Sequence, residues 1–151
     1  MQKITPFLWF NDRAEEAINF YTSIFKNSEI KSLSRGPDGK LFVGTFVLDG
    51  LEIMALNGGP MYTFSPANSM LVHCADQEEV DYYWDRLSPE SKSSNCGWID
   101  DKFGVTWQIV PNKLMELMAS PDPAKSKAVM DALMPMTKII IADLQKAYDE
   151  A

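Results

Sequence analysis

The first half of this chain is roughly rewritten in its second half, and that duplication limits the folds open to it. An apolar run from Ile4 to Phe10 ends at Asn11-Asp12 and leads into Glu15-Glu16-Ala17-Ile18-Asn19-Phe20-Tyr21. Later, Met70-Leu71-Val72-His73-Cys74-Ala75 ends at Asp76 and leads into Glu78-Glu79-Val80-Asp81-Tyr82-Tyr83-Trp84. The aspartates at 12 and 76 lie 64 positions apart and the Glu-Glu pairs at 15 and 78 lie 63 apart, so one residue is gained or lost between them. A second echo joins Gly50-Leu51-Glu52-Ile53-Met54-Ala55-Leu56 to Gly104-Val105-Thr106-Trp107-Gln108-Ile109-Val110, 54 positions further on. A unit that occurs twice rarely buries its apolar face alone. Two copies together build a core, and a cleft between them is the expected place for a ligand.

Each copy reads as strand, helix, then strands. Ile4 to Phe10 is rich in aromatic and β-forming residues, with Pro6 placing its start at an edge. Asp12 is the expected N-cap, with Glu15 as capping-box partner, of an amphipathic helix over Asp12 to Phe25. Strands are expected over Glu29 to Arg35, Leu41 to Leu48 and Leu51 to Leu56, separated by the Gly36-Pro37-Asp38-Gly39 turn and the Asp49-Gly50 hairpin signal. After a loop through Ala67-Asn68 the order recurs. A strand over Ser69 to Ala75 leads to Asp76 as N-cap, with Glu79 at the box position, of a helix through Leu87. Strands follow near Ser93 to Trp98 and Thr106 to Val110. The tail from Asn112 to Ala151 has no counterpart and is split by Pro121 and Pro123. It should hold helices near Lys113–Ala119, Ala124–Met134 and Ala142–Glu150.

At 151 residues the chain suits one domain, with repeat one over about 3–60, repeat two over about 67–111 and the tail over 112–151. A formal charge of −7 argues against nucleic acid, whose binders need a basic stripe, and against an anionic membrane surface. No apolar run is long enough to span a bilayer, and the first residues lack the pattern of a signal peptide. Cys74 and Cys96 lack metal or redox spacing and read as reduced thiols, so a cytoplasmic setting is expected.

The tandem βαβββ plan over about residues 3 to 111 resembles the vicinal oxygen chelate superfamily of glyoxalase I, extradiol dioxygenases and bleomycin-resistance proteins. Ile4 to Phe10, Met54 to Pro60, Cys96-Gly97-Trp98 and Phe103 to Pro111 are similar to its PhnB-like branch, which often carries a 3-demethylubiquinone-9 3-methyltransferase-like label. The resemblance implies an α+β fold of two curved mixed sheets around a pocket, with the helical tail appended, in a homodimer. In metal-using members, four inward strand positions ligate one divalent ion. Carried through the repeat register, they fall at Thr5, Met54, Ser69 and Gln108, none of them a histidine or carboxylate. Neutral oxygens and a thioether do not suit Mg, Mn or Zn, so no metal is expected. A slip of register would bring Glu52 nearer, and one carboxylate still makes a poor site. No cofactor is expected either: the chain lacks the strand, glycine-rich loop and helix that would hold a nucleotide-like methyl donor.

His73 is the sole histidine and the best candidate for catalysis. Alternation sets it on a face with Ser69 and Leu71, as a base, a ligand anchor or a satisfied core side chain. Trp9 shares a face with Thr5 and Phe7, either to stack on a flat ligand or to fill the core; Trp107 faces opposite to Gln108, toward the helix. Asn57-Gly58-Gly59-Pro60 either offers amides to an anion or simply ends a strand. Cys96 has no cation nearby in sequence to activate it. The methionines Met115, Met118, Met130, Met134 and Met136 should pack the tail on the barrel or against a second subunit. The expectation is a metal-free binder of an unknown apolar or aromatic small molecule, with Thr5, Trp9, Met54, Asn57, Ser69, His73 and Gln108 in contact. The alternatives are a lyase, isomerase or transferase using His73 and Gln108, or a structural homodimer with a self-filled pocket.

Overall fold

Proline decides where the first strand begins. Pro6 has no N–H to give a ladder, and β1 (Phe7–Phe10) starts just after it rather than at Ile4. The Pro6 carbonyl still accepts from the Met54 N–H at 3.0 Å. The computed structural model describes residues 2–151, which divide into two units, one ending at Phe64 and the other spanning Ser65–Ala151.

In the first unit β1 is followed by α1 (Ala14–Ile24), β2 (Glu29–Arg35), β3 (Leu41–Leu48) and β4 (Leu51–Asn57). The sheet order is β1-β4-β3-β2, with β1 parallel to β4 and the other pairs antiparallel. Ala14, Ala17, Ile18, Tyr21 and Ile24 recur at helical spacing and are buried, as are Phe46, Ile53 and Ala55 of the sheet. Gly44 lets α1 approach, since a Cβ there would meet Ile18 Cδ1 at 2.7 Å. Asp49 and Gly50 both have positive φ, as a two-residue hairpin of this kind requires.

The expected cap of α1 is not the observed one. Arg13, not Asp12, occupies the N-cap position and makes no side-chain cap. The Ala14 N–H instead donates to Asn57 Oδ1 at 2.8 Å. The cause is the residue that shifts the repeat offset: Asp76 directly precedes its helix, whereas Arg13 intervenes between Asp12 and α1.

The second unit repeats the order with β5 (Ser69–Cys74), α2 (Gln77–Leu87), β6 (Ser94–Asn95), β7 (Trp98–Asp100) and β8 (Thr106–Pro111), arranged β5-β8-β7-β6 with β5 parallel to β8. Asp76 caps α2 as expected, its Oδ1 accepting from Glu79 N–H at 2.9 Å. The single strand expected near Ser93 to Trp98 is a hairpin instead. Cys96 and Gly97 both adopt positive φ, which reverses the chain and pairs Asn95 with Trp98. The architecture is therefore α+β, two four-stranded mixed sheets of βαβββ order with helices after them.

The tail forms α3 (Asn112–Met118), α4 (Pro123–Leu133) and α5 (Ile141–Asp149), close to the sequence pattern. Val110, Leu114, Leu117, Val129, Leu133, Ile139 and Leu144 make one buried cluster. Hydrogen bonds also bind the tail to the sheet and α2. The Cys96 and Gly97 amides donate to Met136 and Thr137 carbonyls at 2.8 and 2.7 Å. Gln77 donates to the Ile139 carbonyl and accepts from Ile141 N–H. Among the described residues no helix is long and apolar enough to cross a membrane.

Candidate functional site

Strand alternation sends every second side chain toward the helix and leaves the others on the opposite face, where most of the residues picked from sequence lie. On the first sheet, buried Ile53 and Ala55 flank Met54, whose cross-strand neighbours on the opposite face are Phe7 and Thr45. Thr5 is partly buried and precedes β1. Glu52 shares the face of Met54, and its carboxylate is 3.1 Å from Lys31 Nζ.

Trp9 closes one end of this face. Its indole Nε1 donates to the Gly59 carbonyl at 3.0 Å and its ring meets Tyr62 edge-on at 5.1 Å. A Cβ on Gly58 would lie 2.4 Å from that ring, so glycine is what lets the loop cross the indole. The Gly58 and Gly59 amides donate to the Phe10 and Asn11 carbonyls at 2.8 and 3.2 Å. They are thereby committed to ending the strand, not left for an anion. Asn57 is committed too: Oδ1 accepts from Ala14 N–H, and Nδ2 donates to the Leu41 carbonyl at 3.0 Å. Its side chain joins β4, β3 and α1.

On the second sheet, Trp107, Ile109 and Ile99 are buried on the side of α2, as expected for Trp107. The opposite face carries Ser69, Leu71 and His73 of β5 with Gln108 of β8. Gln108 Nε2 donates to Ser69 Oγ at 2.9 Å. Register sets Leu71, Gln108 and Trp98 in one row across three strands. His73 is exposed beside Val110, and its imidazole takes part in none of the described side-chain hydrogen bonds or ion pairs. Of the two thiols, Cys74 is buried and pushed up to about 12, by burial first and then by the charges of Glu79 and Asp76. Cys96 Sγ is near the Met134 carbonyl at 3.2 Å.

The positions carried over from metal-using members offer the Thr5 hydroxyl and Met54 thioether in the first unit, and the Ser69 hydroxyl with a Gln108 amide nitrogen directed at it in the second. Neither pair of donors suits Mg, Mn or Zn, which need carboxylates, imidazoles or thiolates. Among the described residues no three His, Cys, Asp or Glu side chains gather as a metal group.

Two features escaped the sequence. A cleft of about 750 Å³ in the first unit lies between the start of α1 and the β2–β3 hairpin, lined among others by Asp12, Glu15, Arg35, Lys40, Phe42 and Asn57. Arg35 donates to both carboxylate oxygens of Glu15, and this pairing lowers the Glu15 pKa. Asp101 is the second. It is 3% exposed; its carboxylate accepts from the Phe103 and Val105 amides at 2.9 and 3.0 Å and from Trp107 Nε1 at 2.8 Å. Nothing in the local sequence pattern marks this aspartate as buried.

Known proteins place this geometry. The model of the family described as 3-demethylubiquinone-9 3-methyltransferase matches residues 2–110. A Bacillus cereus PhnB protein, described as a putative 3-demethylubiquinone-9 3-methyltransferase, is 38% identical; the match covers 71% of this chain and 97% of that one, with a TM-score of 0.66. A Pseudomonas aeruginosa protein shares the fold at 17% identity, TM-score 0.58, over 71% of this chain and 95% of its own. So does the fosfomycin resistance protein FosX from Listeria monocytogenes, solved with Mn(II) and sulfate, at 22% identity, TM-score 0.50, over 71% and 90%. No curated protein matches the chain.

Proposed function

The chain belongs to the 3-demethylubiquinone-9 3-methyltransferase family of PhnB-like proteins, and from that premise we propose that it is a metal-free small-molecule binding protein of the glyoxalase and bleomycin-resistance fold. The observation that carries this reading is the Ser69–Gln108 hydrogen bond. Two positions that metal-using relatives devote to an ion are here neutral and satisfy each other. FosX is a relative in fold solved with Mn(II), and the donor chemistry of this chain departs from such use. The family label does not bring methyl transfer with it: each sheet has one parallel pair, and no glycine-rich loop joins a strand to a helix as a nucleotide-like cofactor requires.

Ligand contacts come, in this reading, from the sheet faces away from the helices: Thr5, Trp9 and Met54 on the first, Ser69, His73 and Gln108 on the second. Asn57 serves the scaffold, since both ends of its amide are in use. The protein acts as a homodimer in the cytoplasm. Exposed Phe7, Met115 and Met134 support self-association, and free Cys74 and Cys96 suit a reducing compartment. Native mass spectrometry with elemental analysis tests the core claim. The expected result is a retained organic ligand and no stoichiometric Mn or Zn after incubation with either ion. One equivalent of tightly held metal, lost in a Gln108→Ala variant, would overturn it.

A second reading has one observation behind it: His73 is exposed on the same face as Gln108. In that case the protein is an enzyme with His73 as base, and His73→Ala abolishes turnover while leaving ligand affinity intact.

A further inference from the structure

Beyond the small-molecule reading, on which it rests, we infer that the partly exposed row of Leu71, Gln108 and Trp98 on the second sheet recognises an uncharged, planar molecule carrying an N–H donor beside a carbonyl acceptor, as a lactam or cyclic imide does. Leu71, Gln108 and Trp98 are direct cross-strand neighbours on β5, β8 and β7. Adjacent strands lie about 4.8 Å apart, so the row spans about 10 Å, the length of a fused two-ring system. Its two ends are apolar and open, Leu71 at 37% and Trp98 at 38% exposure. An indole left partly open beside an aliphatic side chain is a stacking platform for a flat ring.

The middle of the row fixes the polar pattern. Gln108 Nε2 is committed to Ser69 Oγ, which holds the amide in one orientation. What remains is Gln108 Oε1 as an acceptor, with the Ser69 hydroxyl proton and the second Nε2 hydrogen as donors. Turning the amide over places the free amide hydrogens beside the Ser69 oxygen and still sets a donor next to an acceptor. A lactam edge answers both at once, its N–H to the amide oxygen and its C=O to the hydroxyl.

The strands of this face also present no cation. β5 and β8 contribute no Lys, Arg, Asp or Glu, and the Asp100 carboxylate of β7 is already engaged by the Ser91 hydroxyl and the Lys92 and Ser93 amides. His73 is the remaining titratable group that these strands present on this face, Cys74 being buried on the other. An anionic ligand would lose hydration here and meet the Asp100 carboxylate in place of a cation, which favours a neutral ligand over an anion.

The full chain titrated with 2-quinolone by calorimetry tests this, against N-methyl-2-quinolone, which lacks the donor, and 2-naphthoate, which is charged and of similar size. 2-Quinolone should bind, and its N-methyl derivative about tenfold more weakly, the effect of one hydrogen bond. Gln108→Leu should weaken 2-quinolone about tenfold and leave the N-methyl derivative unchanged, which a folding defect would not do. Trp98→Ala should weaken both. Equal binding of the two quinolones, preference for 2-naphthoate, or no binding of any of the three overturns the inference. If native mass spectrometry still finds a retained organic ligand in that event, the broader reading stands and this one alone falls.

Discussion

The N-terminus of α1 is held by Asn57 from the far end of β4, whereas α2 is held by Asp76, the residue directly before it. The turns that deliver the last strand of each copy differ in the same way. Asp49-Gly50 turns the chain through two positive φ angles, while the loop before β8 wraps its amides around the buried carboxylate of Asp101. Both copies keep one strand order. A duplicated architecture thus survives changes in its fastenings, provided each joint still satisfies the same backbone groups. The first copy fastens a helix across the sheet and turns locally; the second caps locally and buries a carboxylate to turn.

The largest contrast lies at the turns. Asp101→Ala strands two amides and the Trp107 N–H, and should cost about 3 kcal/mol. Asp49→Ala only forces alanine into a left-handed conformation, at about 1 kcal/mol. Urea unfolding followed by circular dichroism reads both, and equal losses would erase the distinction. Next come the caps. Asn57→Ala removes two hydrogen bonds that reach distant elements and should cost about 2 kcal/mol, against about 1 kcal/mol for Asp76→Ala. Should Asp76 prove the costlier, the view of Asn57 as a joint between three elements is wrong.

Acid should act on the second unit through two carboxylates. Asp81 is lowered by the Lys138 and Gln77 hydrogen bonds. Asp100 is raised by burial but lowered overall by the Ser91 hydroxyl and the Ser93 and Lys92 amides. Folded values below the unfolded ones mean that their contribution is present above about pH 4 and fades as pH falls through the folded values. Thermal melts of Lys138→Met should show a shallower acid slope than the parent. The smallest effect is chemical. Iodoacetamide should modify Cys96 in the native protein and reach Cys74 only on unfolding, because burial keeps that thiol protonated. Native labelling of Cys74 would contradict its burial.

Much of the fold was legible because its signals are local and repeated. The echo of Gly50–Leu56 in Gly104–Val110 marks β4 and β8, and the apolar spacing located α1 and α2. What was not legible depends on partners far along the chain. Asn57 looks like a strand end, yet its amide bonds Ala14 and Leu41. Cys96-Gly97 carries no Asn-Gly or Asp-Gly signal, and the turn there is held by amide bonds to the tail. At the candidate site, alternation placed Ser69, Leu71 and His73 on one face of their strand and set Gln108 opposite Trp107 on its own. It gave no hint that Trp98 completes the row, because the hairpin that sets its register was read as one strand.

The tail enters a different light once its bonds to the β6–β7 hairpin and to Gln77 are considered together. The family match ends at residue 110, which invites the view of everything later as ornament. Yet those last forty or so residues are a splint: the short hairpin carrying Trp98 takes its alignment from them. A chain trimmed to the family boundary would be a different protein, with a loosened β6–β7 hairpin, and not a minimal version of this one.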